Sequence, residues 1–144
     1  EAFAKSSLAS GGVLPSSGKA FLSVRQVDKE GVVSLAKSLA DAGFALMATD
    51  GTAKVIEAEG LDVERINKVI EGRPHIVDAI KNGDIDLIVN TTEGRRAIAD
   101  SAQIRQSALQ KKIAYSTTLA GGDAVVRAIR YGAEKTVRRL QDLH

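Results

Sequence analysis

Five clusters of hydroxyl, amide and cationic residues recur along the 144-residue sequence. The first holds Ser23, Arg25, Asp28 and Lys29, and the second is Thr49-Asp50-Gly51-Thr52. Lys68 with Glu71-Gly72-Arg73-Pro74-His75 makes the third, and Asn90-Thr91-Thr92-Glu93-Gly94-Arg95-Arg96 the fourth. Thr117-Thr118 with Gly121-Gly122 completes the set. Hydroxyl donors, Lys and Arg charge, and backbone N–H groups exposed at glycine turns are what a phosphate group requires. Singly, each cluster has a plainer explanation: Thr or Asn after a strand commonly caps the next helix, and Arg95-Arg96 reads as a solvated helix face. Repetition of one chemistry in several clusters is what points to an anionic ligand. Three or four charge-assisted hydrogen bonds, each contributing about 1.5–3 kcal/mol, are of the size that micromolar binding at about −8 kcal/mol needs, which permits a small-molecule site and no more.

Other chemistries are excluded by composition. With no cysteine, disulfides, thiolate metal sites and cysteine nucleophiles are ruled out, and two histidines, His75 and His144, cannot by themselves build a zinc site. No Ser/His/Asp set is readable, and Asp50 and Asp123 have no evident acid–base partner. A net charge of +2 with 3% aromatic residues and no Trp argues against nucleic acid as partner. No stretch approaches the ~18 apolar residues of a membrane span, and a cytoplasmic setting is expected. Gly18-Lys19 imitates the end of a phosphate-binding loop, but Val13 holds the leading glycine position, Ala20 follows, and the pair precedes a strand rather than a helix. His75, after Pro74 at a helix start, reads as a structural or capping residue.

The elements that must position the clusters follow from periodicity. Short apolar runs predict strands at Lys19–Arg25, Phe44–Thr49, Val63–Val69 (the weakest), Ile85–Val89 and Ile113–Ser116. Between them, Val32, Leu35, Ala36 and Leu39 recur at helical spacing after a capping Asp28, ending at Gly43. Further helices are expected at Ala53–Glu59, from Pro74 to Asn82-Gly83, at Arg95–Lys111, and at Asp123–Leu143 with an interruption near Gly132. Strand–helix alternation predicts an α/β fold with a parallel sheet covered on both faces. In such a sheet ligands bind beyond the carboxyl ends of the strands, where strand order reverses, and the clusters follow the strands. Residues 1–17, rich in Ser, Gly and Pro, read as a connector, leaving one domain over 18–144. The chain starts at Glu1 and its only methionine is Met47, so a piece of a longer chain is expected.

Four runs carry a resemblance: GKAFLSVRQVDKEGVV, ATDGTAKVIEAEG, INKVIEGRPHIVDAIKNGDIDLIVNTTEGRRAIADS and YSTTLAGGDA. Together they resemble the C-terminal allosteric domain of the carbamoyl phosphate synthetase large subunit over about residues 18–130. The leading EAFAKSSLASG looks like the family's connection from the second ATP-grasp half. The resemblance implies a methylglyoxal-synthase-like fold, a five-stranded parallel Rossmann-like sheet with helices on both faces. It implies a non-catalytic regulatory domain that binds UMP as inhibitor and IMP as activator, and helps relay ornithine activation to ATP-dependent synthesis of carbamoyl phosphate from bicarbonate and glutamine-derived ammonia. By position, Lys29, Thr49, Thr52, Lys68, Asn90, Thr91 and Thr92 would contact the phosphate and nucleotide. Ser23 would line the same pocket, with Asp100, Ser101 and Ile104 beside the ribose or base. Tyr115 and Thr117 would lie toward the ornithine side.

No cofactor is implied for the fragment; ATP, Mg or Mn, and K belong to the whole enzyme. The implied partners are UMP, IMP or phosphate, the rest of the large subunit and the glutaminase small subunit, with a homo-oligomer possible. Ser116 departs from the family, standing where an acidic residue is expected in a familiar bacterial member, and the tail after Gly132 matches only loosely. The alternative is a methylglyoxal-synthase-type lyase of the same fold, which uses an aspartate base in a Gly-Gly-Asp loop. The turn after the fourth strand lacks that motif, and Gly121-Gly122-Asp123 follows the fifth strand instead.

Overall fold

The computed structural model describes residues 18–67, 75–91 and 95–142, the side chains of 95–100 and 132–142 excepted. At its centre Ala20, Phe21 and Leu22 are each fully buried. A strand whose successive residues are apolar must be covered on both faces, because neighbouring side chains point to opposite sides. That strand, β1 (Gly18–Ser23), pairs in parallel with β2 (Phe44–Ala48) on one side and β4 (Leu87–Asn90) on the other. The two-residue β3 (Glu64–Arg65) edges β2, and β5 (Ala114–Ser116) edges β4. The order is therefore β3-β2-β1-β4-β5, all parallel.

The helices are α1 (Lys29–Asp41), α2 (Asp50–Ala58), α3 (Ile76–Lys81), α4 (Arg95–Gln110) and α5 (Leu119–Asp142). One core takes Ala20 and Leu22 of β1 with Leu35 and Leu39 of α1, Ile56 of α2 and Val125 of α5. The other takes Phe21 and Ile88 from the strands with Ile76 and Ile80 of α3 and Ile104 and Ala108 of α4. Helices thus cover both faces of the sheet, as the alternating pattern predicts. Gly122 lets α5 approach closely, since a methyl group there would lie 3.0 Å from Leu35 Cδ2 and from Val89 Cγ2.

Several expectations need correction. The last helix begins at Leu119, a turn earlier than expected, and passes through Gly132 without interruption. A single glycine lowers helix propensity by about 1 kcal/mol but keeps its N–H, unlike proline, so a long packed helix absorbs it. Gly121-Gly122 therefore lies in a helix, not in a loop. Asp28 occupies the position before α1 but makes no capping hydrogen bond, because its carboxylate instead accepts from Arg25 Nε at 2.8 Å. The third strand shrinks to Glu64–Arg65, followed by a parallel bridge between Asn67 and His75. Residues 1–17, Lys68, Thr92 and Pro74 lie outside the described residues.

Candidate functional site

Strand order reverses at β1, whose neighbours β2 and β4 lead the chain to opposite sides of the sheet, and the carboxyl ends of these three strands meet. Ser23 Oγ and Thr49 Oγ1 lie 3.1 Å apart, both side chains buried. Thr49 precedes α2 yet makes no side-chain cap on it, its hydroxyl being turned toward Ser23. The first turn of α2, Asp50-Gly51-Thr52, thus presents its amides uncovered by a Thr49 cap, at the end of the helix where the dipole favours an anion. Thr52 is almost fully buried, and its Oγ1 accepts a hydrogen bond from Val24 N at 3.1 Å. With that lone pair occupied, its O–H remains to donate. Lys29 is set against the same turn: a methyl group on Gly51 would lie 3.1 Å from Lys29 Nζ.

The end of β4 ties this region to the loop after β1. Thr91 N donates to Ser23 O at 2.9 Å, and Thr91 Oγ1 accepts from Arg25 N at 3.1 Å. The Arg25 guanidinium, helped by the Thr91 hydroxyl, holds the Asp28 carboxyl below its ordinary 3.8 against the opposing effect of burial. One residue back, Asn90 spends its amide on the other side. Asn90 Nδ2 donates to Ser101 Oγ at 3.0 Å and to Tyr115 OH at 3.2 Å. Asn90, Thr91, Ser101, Ala102, Arg105, Tyr115 and Thr117 line a cleft of about 240 Å³ between β4, α4 and β5.

The predicted residues therefore form two adjoining groups. Ser23, Lys29, Thr49 and Thr52 gather on the β1–β2 side, and Asn90, Ser101, Tyr115 and Thr117 around the cleft. Thr91 belongs to both. Tyr115 and Thr117 are not segregated from the effector group but share a cleft with Asn90 and Ser101. Ile104 is 5% exposed, in the core on the α4 face, and is absent from the cleft lining. Asp100 is on α4, its side chain not described; Lys68 directly follows Asn67, which pairs with His75. Thr118 serves as a cap for α5, accepting Gly121 N at 2.9 Å.

Sequence reasoning missed Arg105. Its guanidinium sits 5.6 Å from the Tyr115 ring centroid and lines the cleft. The signal was present, because Arg105 is four residues after Ser101 and so shares its helix face. Among the described residues no group of three His, Asp or Glu could hold a metal ion, and no helix is long and apolar enough to cross a membrane.

Residues 31–117 match the family of the MGS-like domain. The chain belongs to that family. The whole MGS-like chain is 59% identical over 144 residues to the carbamoyl phosphate synthase large chain of Pseudomonas putida, and 54% identical over 147 to that of Halomonas eurihalina. It spans only 13% and 14% of their lengths. Methylglyoxal synthase from Elizabethkingia anophelis superposes with a TM-score of 0.62 at 20% identity, covering 78% of this chain and 79% of the other. That likeness carries the fold, and the expected methylglyoxal-synthase-like architecture is borne out by it.

Proposed function

We propose that this MGS-like domain is the regulatory part of a carbamoyl phosphate synthase large chain and binds a nucleoside monophosphate across the carboxyl edge of its sheet. The phosphate occupies the turn formed by Ser23, Lys29, Thr49 and Thr52, with Lys68 and Thr92 as further donors. Ribose and base extend past Thr91 toward the cleft of Asn90, Ser101 and Arg105, with Asp100 alongside. UMP is the expected inhibitor and IMP the activator, acting on ATP-dependent sites elsewhere in the large chain and its glutaminase partner. Tyr115 and Thr117, on the β5 side of the same cleft, are where ornithine responsiveness would couple to the bound nucleotide. The domain regulates and does not catalyse. The observation that carries this reading is the placement of the Lys29 ammonium against the uncapped first turn of α2, beside the buried Ser23–Thr49 hydroxyl pair.

Titrating the chain with UMP, IMP and inorganic phosphate while following its melting temperature tests the proposal, since a ligand of the native state raises stability by mass action. Lys29→Ala and Lys68→Ala each remove a charged donor and should weaken UMP binding at least about tenfold. No melting shift with any of the three ligands defeats the proposal, and an unchanged affinity in either variant removes that lysine from the site.

A further inference from the structure

Asp50 is the first residue of α2 and carries a carboxylate at the helix end where the proposed ligand must sit. An acidic side chain in a first helical turn is drawn to the same N–H groups and the same dipole as a bound phosphate. Left to itself it would compete with the ligand and repel it. Its surroundings prevent this. The Arg65 guanidinium, on the two-residue strand β3, contacts the Asp50 carboxylate with one nitrogen. Its other nitrogens engage Glu57, further along α2. Lys54 Nζ stands 3.7 Å from Asp50 on the solvent side. The fork of Arg65 is held by two carboxylates in a geometry that a lysine could not reproduce.

These contacts are solvent-exposed, so as contributors to fold stability they are weak. As a screen they matter more, because the carboxylate they engage belongs to the first residue of α2, the helix end where the proposed anion sits. We infer that Arg65 sets the ligand affinity of this site from outside it, by masking the Asp50 carboxylate at the start of α2. Arg65 is a positioning residue: it touches no ligand and acts through Asp50. The inference rests on the site reading proposed above and names its electrostatic control. Because the control is a surface ion pair, it weakens as salt rises.

The test uses the full-length large chain carrying this domain, with UMP affinity measured by calorimetry and inorganic phosphate as competitor. Arg65→Leu should weaken UMP and phosphate alike by roughly three- to tenfold at low salt, with a smaller effect at high salt. Asp50→Asn should tighten both, and Arg65→Leu combined with Asp50→Asn should return to the wild-type affinity. If Arg65 merely anchored β3, Arg65→Leu would weaken binding equally at low and high salt and would also lower the affinity in the Asp50→Asn background below wild type, and that result overturns the inference. So does an Arg65→Leu protein that binds UMP as tightly as wild type. Wild-type protein binding neither UMP nor phosphate is a different outcome, since it removes the site itself.

Discussion

At the scale of single residues, two of the site's hydroxyls already have an acceptor lone pair taken. Thr52 Oγ1 accepts Val24 N and Thr91 Oγ1 accepts Arg25 N, so in each case backbone geometry decides which way the O–H can point. Residue types along the sequence were enough to nominate these threonines only because the same chemistry recurs after several strands, since a single hydroxyl there commonly caps the next helix. Their division of labour was not legible, since it depends on which backbone N–H of the segment just after β1 reaches each of them. Gly51 offers a sharp check on Lys29. It sits in α2 with ordinary helical φ, so Gly51→Ala should raise helix stability by at most about 1 kcal/mol. The added methyl lies 3.1 Å from Lys29 Nζ, and the flexible lysine yields by swinging its ammonium away from the turn. Phosphate affinity should therefore fall, about three- to tenfold, as one charge-assisted contact is weakened. Thermal melts and phosphate titration of the same variant separate the two effects, and a variant that melts higher with undiminished phosphate affinity would take Lys29 out of the cradle.

At the scale of elements, the start of β1 explains why Gly18-Lys19 imitates a phosphate loop without being one. Gly18 has φ of +130°, and a methyl group on it would lie 1.9 Å from Asp86 Oδ2. Asp86 cannot simply turn aside. Its carboxylate accepts Lys19 N at 3.0 Å, and its own N–H donates to Lys19 O at 2.8 Å, so the pair brackets the strand. Gly18→Ala should accordingly cost about 2–3 kcal/mol from backbone strain plus a broken bracket. Gly60, with φ of +83° and nothing within 4 Å of where a methyl would sit, supplies the comparison. Gly60→Ala should show strain alone, about 1 kcal/mol. Urea denaturation of both variants checks this, and equal midpoints would mean that the Asp86 bracket contributes nothing. The glycine here was legible in the sequence, but its reason was not, because Asp86 is sixty-seven residues downstream of Lys19. The length of β3 was illegible for the opposite reason. Only Val63, Ile66 and Val69 of the expected segment are apolar, and so sparse a pattern does not say how much of an edge strand finds a partner.

At the scale of the whole molecule, alternation of strands and helices made the architecture readable, while strand order required the structure. The run β2-β1-β4-β5 within the order puts the clusters after β1, β2 and β4 at one place and leaves those after β4 and β5 sharing a cleft. The same fold serves methylglyoxal synthase, so the lyase alternative turns on acid–base chemistry and not on shape. An elimination of phosphate from a triose phosphate needs a carboxylate free to take a proton from carbon, with a pKa near the working pH. Among the described residues, Asp28 and Asp50 carry carboxylates next in the chain to Lys29 and Thr49. Asp28 is engaged by Arg25 and Thr91, which lower its pKa and make it a poorer base, and Asp50 is held by Arg65. Dihydroxyacetone phosphate should therefore bind through its phosphate and raise the melting temperature, yet release no methylglyoxal above the spontaneous rate. A colorimetric assay for methylglyoxal at saturating substrate decides the matter, and enzyme-dependent release would assign the base to a carboxylate near the cradle and restore the lyase.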